Sequence, residues 1–135
     1  MLLHCRLTYQ CINEYVHQYL SNNGVTAPIY FNYATEKNNA NECVILWQYD
    51  GTPNMVARNA KIQITVKNKD MLKAEKMSVS IFDMLYPIGQ YKKAIDINGQ
   101  KMHIRPLQEP FYNEKDQNER HCYVFNINID YDRRN

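Results

Sequence analysis

At 135 residues, with 44% hydrophobic side chains and a formal net charge of +2, the chain has the length of one domain and enough apolar content to fold without metal or disulfide staples. Near-neutral charge with no Lys/Arg block argues against a strongly electrostatic nucleic-acid binder. No stretch reaches the ~20 apolar residues of a membrane span.

Residues Met1-Leu2-Leu3-His4-Cys5-Arg6 lack the sustained apolar run of a signal peptide. Cys5, Cys11, Cys43 and Cys122 form no C-x-x-C pair. They are expected as free thiols in a reducing cytoplasm, acting as small core hydrophobes. Eleven Tyr beside one Trp and four Phe suit contact surfaces, because Tyr is rigid and amphipathic. An AT-rich genome would produce the same bias.

In chain order, apolar residues recur at helical spacing from about Leu3 to Leu20, with Leu7, Cys11 and Tyr15 on one ridge and Ile12, Val16, Tyr19 and Leu20 beside it. Asn22-Asn23-Gly24 should end this helix, since Gly and Asn tolerate the left-handed conformation. Pro28 to Tyr33 reads as a short strand with Pro28 at its start, because Pro cannot donate to a ladder. Ala34 to Asn41 reads as a polar turn region.

Cys43-Val44-Ile45-Leu46-Trp47-Gln48-Tyr49 is apolar on both alternating faces. Such a strand belongs at the centre of a sheet, or its second face meets another chain. Trp47 is expected in the core, because burial of so large an aromatic dominates local energetics. Asp50 to about Asn59, with Gly51, Thr52, Pro53, Met55 and Arg58, reads as a long loop.

Ala60 to Lys67 alternates cleanly, with Ile62, Ile64 and Val66 to one side. Asp70 is a plausible N-cap for a helix to about Leu85, whose stripe is Ala74, Met77, Ser78, Ile81, Phe82 and Leu85; Pro87 and Gly89 then stop it. Asn98-Gly99-Gln100 between Ala94–Ile97 and Lys101–Arg105 signals a hairpin. Pro106 to Arg120 reads as a polar loop containing Phe111 and Tyr112. Cys122 to Tyr131 alternates as a long, half-buried closing strand. The expected fold is α+β: a two-layer sandwich of two helices on a mostly antiparallel sheet of about four to six strands, in the order α-β-β-β-α-β-β-β.

Chemistry is sparse. His4, His17, His103 and His121 show no metal-ligand spacing. A ribonuclease-like pair of His103 and His121 needs both groups within reach of one substrate. Glu109, Glu114, Asp116 and Glu119 interleave with Lys115 and Arg120, a pattern typical of a solvated segment. No phosphate-binding Gly loop and no nucleophile elbow occurs. Tyr30, Phe31 and Tyr33 would suit base stacking, but Lys61, Lys67, Lys69 and Lys73 are scattered rather than grooved. No enzyme, cofactor or metal is expected.

The N-terminal amphipathic helix, the strand Cys43 to Gly51, Ile62-Gln63-Ile64-Thr65-Val66-Lys67 leading through Asp70 to Ile81-Phe82-Asp83-Met84-Leu85, and the strand Tyr123 to Tyr131 occur in an order that resembles the tail-terminator (minor capsid, tail-completion) proteins of long-tailed bacteriophages. The resemblance covers Cys5 to Arg133 and implies one such domain over residues 1–135. It implies a homo-oligomeric, commonly hexameric ring capping the head-proximal end of the tail tube. Such a ring stops tube polymerisation, meets the head–tail connector or stopper protein, and passes genomic DNA through its lumen without specific binding. The virion neck would be its location, after assembly in the host bacterial cytoplasm and without a membrane. Head completion is the neighbouring alternative. In such a ring, Tyr49, Asp50, Gly51, Thr52, Pro53, Met55, Arg58, Phe111 and Tyr112 are the expected contact residues.

Overall fold

A computed structural model describes residues 9–31, 41–53, 57–86, 93–97 and 100–132. The expected helix start near Leu3, the polar segment from Ala34, Met55, Pro87, Gly89 and the Asn98-Gly99 turn lie outside them. The elements run α1 (Tyr9–Asn22), β1 (Ile29–Phe31), β2 (Glu42–Pro53), β3 (Ala57–Asn68), α2 (Met71–Leu85), β4 (Lys93–Ile97), β5 (Gln100–Pro106), β6 (Phe111–Lys115) and β7 (His121–Asp132).

The helices end as their sequences require. Val25 N donates to Leu20 O at 3.1 Å and Gly24 N to Ser21 O at 3.4 Å, a Schellman cap with Gly24 at φ 100°. At the start of α2, Asp70 Oδ1 accepts from Leu72 N at 3.0 Å and Lys73 N at 3.2 Å. Asn68 Oδ1 in turn accepts from Asp70 N at 2.8 Å, fixing the turn that leads into the cap. The stripe on α2 is buried at Ala74, Ser78, Ile81, Phe82 and Leu85, with Met77 packed against its edge.

All seven strands form one sheet, in the order β1-β2-β3-β7-β5-β4, with β6 also on β7. The β1–β2 pair is parallel and all others are antiparallel. Both helices pack on one face, over Val44, Leu46, Ile62, Ile64, Val66, Phe125, Ile127 and Ile129. Phe82 meets Phe125 edge-on at 5.6 Å between ring centroids, within the favourable range for aromatic pairs. The two-layer α+β arrangement thus stands.

Three expectations change. There are seven strands rather than four to six, because Phe111–Lys115, read as loop, is β6. Every residue of β6 is exposed, so it lacks the alternation that would reveal a strand. Next, β3 and β7 are the central strands, while β2 has only the three-residue β1 outside it. Finally, Asp50 to Pro53 is not loop: the β2–β3 ladder continues through Gly51↔Ala60 to Pro53↔Arg58, after a bulge between Gln48 and Asp50. Gly and Pro read as terminators, but a long twisted hairpin carries them near its end.

β5 and β6 lie end to end along the same edge of β7. Pro106 is opposite Ile127 and Phe111 opposite Val124; Leu107 N still donates to Asn126 O at 2.9 Å, and residues 108–110 then bulge out. Pro106 and Pro110, which cannot donate to a ladder, bracket this interruption.

Candidate functional site

Alternation along the strands places Cys43, Ile45, Trp47 and Tyr49 on the face opposite the helices. Beside them stand Lys61, Gln63, Thr65 and Lys67 of β3, then Cys122, Val124, Asn126, Asn128 and Asp130 of β7. Among the described residues no helix covers this face. Trp47 is 45% exposed and Tyr49 40% exposed, their rings tilted together at 5.5 Å. The core position expected for Trp47 is therefore overturned: the helices pack on the other face of β2, and on this side Trp47 and Tyr49 face solvent while Cys43 and Ile45 are buried.

One end of this face is closed by the turn between β6 and β7. Asp116 Oδ1 accepts from Asn118 N and Arg120 N, both at 2.9 Å. Its Oδ2 accepts from Arg120 Nε at 2.9 Å and Lys67 Nζ at 3.1 Å. Burial disfavours the Asp116 carboxylate, yet these donors together hold its pKa at about 2. Arg120, only 2% exposed, also points Nη1 at Cys43 Sγ, 3.5 Å away. Glu109, Glu114, Lys115 and Glu119 are exposed, as a solvated segment requires, whereas Asp116 and Arg120 fold back onto the sheet. Burial pushes the Cys43 thiol up and that of Cys122 to about 11, so both free, buried thiols are held protonated and unreactive. Opposite charges four residues apart, Asp116 and Arg120, were the available hint, but Lys67 and Cys43 join them only through the sheet.

At the other end, Asn59 Nδ2 donates to Asn128 Oδ1 at 2.8 Å and to Asp130 Oδ1 at 2.9 Å. Between the two ends, the polar Gln63, Thr65 and Asn126 are half-buried beside the buried, apolar Ile45 and Val124.

The expected contact residues fall into two groups. Tyr49 and the backbone of Asp50, Gly51, Thr52 and Pro53, with Arg58 opposite Pro53, form the far part of the β2–β3 hairpin. Phe111 and Tyr112, 44% and 40% exposed, sit on β6. Strand spacings put the two groups about 20 Å apart. Tyr112 stacks edge-on against Tyr123 at 5.4 Å and shares a 3.1 Å hydrogen bond with His121 Nδ1. Further exposed apolar residues, Met71, Leu72 and Val79, lie on α2 and were not anticipated.

The pair His103 and His121 does not come together. His103 pairs with Asp130 and His121 stands nine residues earlier on β7, about 30 Å away on the rise per residue. Among the described residues no group of three or more His, Cys, Asp or Glu could hold a metal ion. No described helix is long and apolar enough to cross a membrane.

The described residues form an α+β sandwich with the exposed aromatic pair Trp47 and Tyr49 on the sheet face away from the helices. Residues 19–133 match the family model described as bacteriophage tail terminator protein; the chain belongs to that family and has a structural role in the phage tail or neck. A solved structure whose name states no activity has the same fold, with a TM-score of 0.56 at 12% identity, covering 93% of this chain and 96% of the other. Among curated protein sequences there is no match.

Proposed function

We propose that this protein, as one domain over residues 1–135, assembles into a ring, commonly a hexamer, on the head-proximal end of the tail tube. There it stops tube polymerisation and joins the tail to the head connector or stopper protein, with genomic DNA passing through the lumen unbound. The family match supports the tail-top role. The observation that carries the assembly is the pair Trp47 and Tyr49, exposed side by side on the sheet face that no described helix covers, since solvent-facing aromatics in a cluster mark contact sites. The β2–β3 hairpin from Tyr49 to Pro53, with Met55 and Arg58, and the β6 pair Phe111 and Tyr112 are the contact residues of this proposal.

The test is a phage from which this gene is removed. Tubes of uncontrolled length that fail to join heads are expected, with the protein found on tails purified from the parent phage. Normal-length tails without it would overturn the reading, and recovery on heads but not on tails would instead assign it to head completion.

A further inference from the structure

The register of the sheet sets its strands β1 and β6 at one level. Pairing links Tyr30 to Ile45, Ile45 to Thr65, Thr65 to Val124, and Val124 to Phe111. In this half of the sheet the order is therefore β1-β2-β3-β7-β6, and its two outermost strands stand at one level. Among the described residues β1 pairs only with β2, and β6 only with β7. Each leaves one edge of its backbone unpaired, a template for another strand.

The two edges match each other. β1 runs parallel to β2, and three antiparallel steps then lead to β6, so β6 runs opposite to β1. A neighbouring copy in the same orientation would present its β1 antiparallel to β6. Charge, the usual protection of an exposed edge, is confined on β6 to Glu114 and Lys115, and is absent from Ile29-Tyr30-Phe31. The faces agree as well: Tyr30 and Phe111 share the open face, while Ile29 and Tyr112 share the helix face.

From this geometry, and resting on the ring reading, we infer that copies of this chain join head to tail by adding β6 of one to β1 of the next. Phe111 stands opposite Tyr30, and Tyr112 opposite Ile29. The contact is heterologous, so each copy uses both edges and the sheet continues from subunit to subunit. Aromatic cross-strand pairs supply side-chain contact, and the ladder supplies backbone hydrogen bonds.

The test joins sedimentation of the unaltered chain, alone and with tail-tube protein, to cysteine cross-linking. Cβ atoms of directly opposed residues lie about 4.5–5.5 Å apart, close to what a disulfide bridges. A chain carrying both Tyr30→Cys and Phe111→Cys should give a ladder of intermolecular disulfides under mild oxidation, and neither single variant should. Separately, Tyr30→Lys and Phe111→Lys should each abolish assembly alone. Mixed together they should form a 1:1 dimer through the one intact edge of each, which also demonstrates that both fold. Assembly of the unaltered chain with no ladder and unaffected lysine variants overturns this contact and leaves the ring reading standing. Absence of assembly under both sedimentation conditions removes both.

Discussion

Arg120 donates from Nε to Asp116 Oδ2 at 2.9 Å, and Lys67 reaches the same oxygen from β3 at 3.1 Å. One carboxylate thus ties the β6–β7 turn to the body of the sheet, with a guanidinium buried beneath it. Removing the carboxylate takes this ion-pair partner from both the buried guanidinium and Lys67. Asp116→Ala is expected to cost about 3–5 kcal/mol, the range for breaking a buried ion pair, read as a lower urea midpoint at neutral pH.

The same carboxylate sets an acid limit. Its pKa of about 2, against an ordinary 3.8, means that the folded state favours the ionised form. The resulting stability, about 2 kcal/mol, is complete above pH ~4 and is lost as pH falls through about 2. Denaturation measured from pH 5 to pH 2 should show this loss, and Asp116→Asn should remove that part of the pH dependence.

Two left-handed residues predict opposite responses to substitution. Gly24 at φ 100° closes α1, and Gly24→Ala should destabilise the fold by about 1–2 kcal/mol although nothing lies within 4 Å of an added Cβ. Glu119 at φ 63° carries the strain of a side chain in that region. Its ion pair with Lys115, 3.1 Å long between partners 50% and 72% exposed, contributes little. Glu119→Gly should therefore be stabilising by up to about 1 kcal/mol, seen as a higher melting temperature.

Trp47 and Phe125 are both large aromatics on strands, with unlike roles. Phe125 is fully buried against Phe82, and Phe125→Ala should cost about 3–5 kcal/mol. Trp47→Ala should change the stability of the isolated chain by less than about 1 kcal/mol, since its side chain is half in water. Equal losses in chemical denaturation of the two variants would contradict this assignment.

Cys43 and Cys122, with protonated thiols under the Asp116–Arg120 turn, should resist alkylation at pH 8 in the native protein and react once it is unfolded. Peptide mapping after labelling separates these two sites from Cys5 and Cys11. Rapid native labelling of Cys122 would mean that the turn opens.

The amino-acid order alone determined the two-layer architecture, because its signals are local. The periodicity of α2, the Asp70 cap, Gly24 after α1, and the alternation of Ala60–Lys67 and Cys122–Tyr131 each follow from backbone geometry within a few residues. Family membership was legible in the same way, from the order of these patterns. Only the tertiary structure decided which apolar face of β2 the helices would cover, and so whether Trp47 lies inside or out. That choice depends on competition between surfaces distant in the chain. It also decided that an all-exposed segment would become β6, since an edge strand is held by its partner's hydrogen bonds and needs no hydrophobic face. The union of Asp116 and Arg120 with Lys67 and Cys43 was likewise invisible beforehand, because a salt bridge across 49 residues leaves no periodic trace.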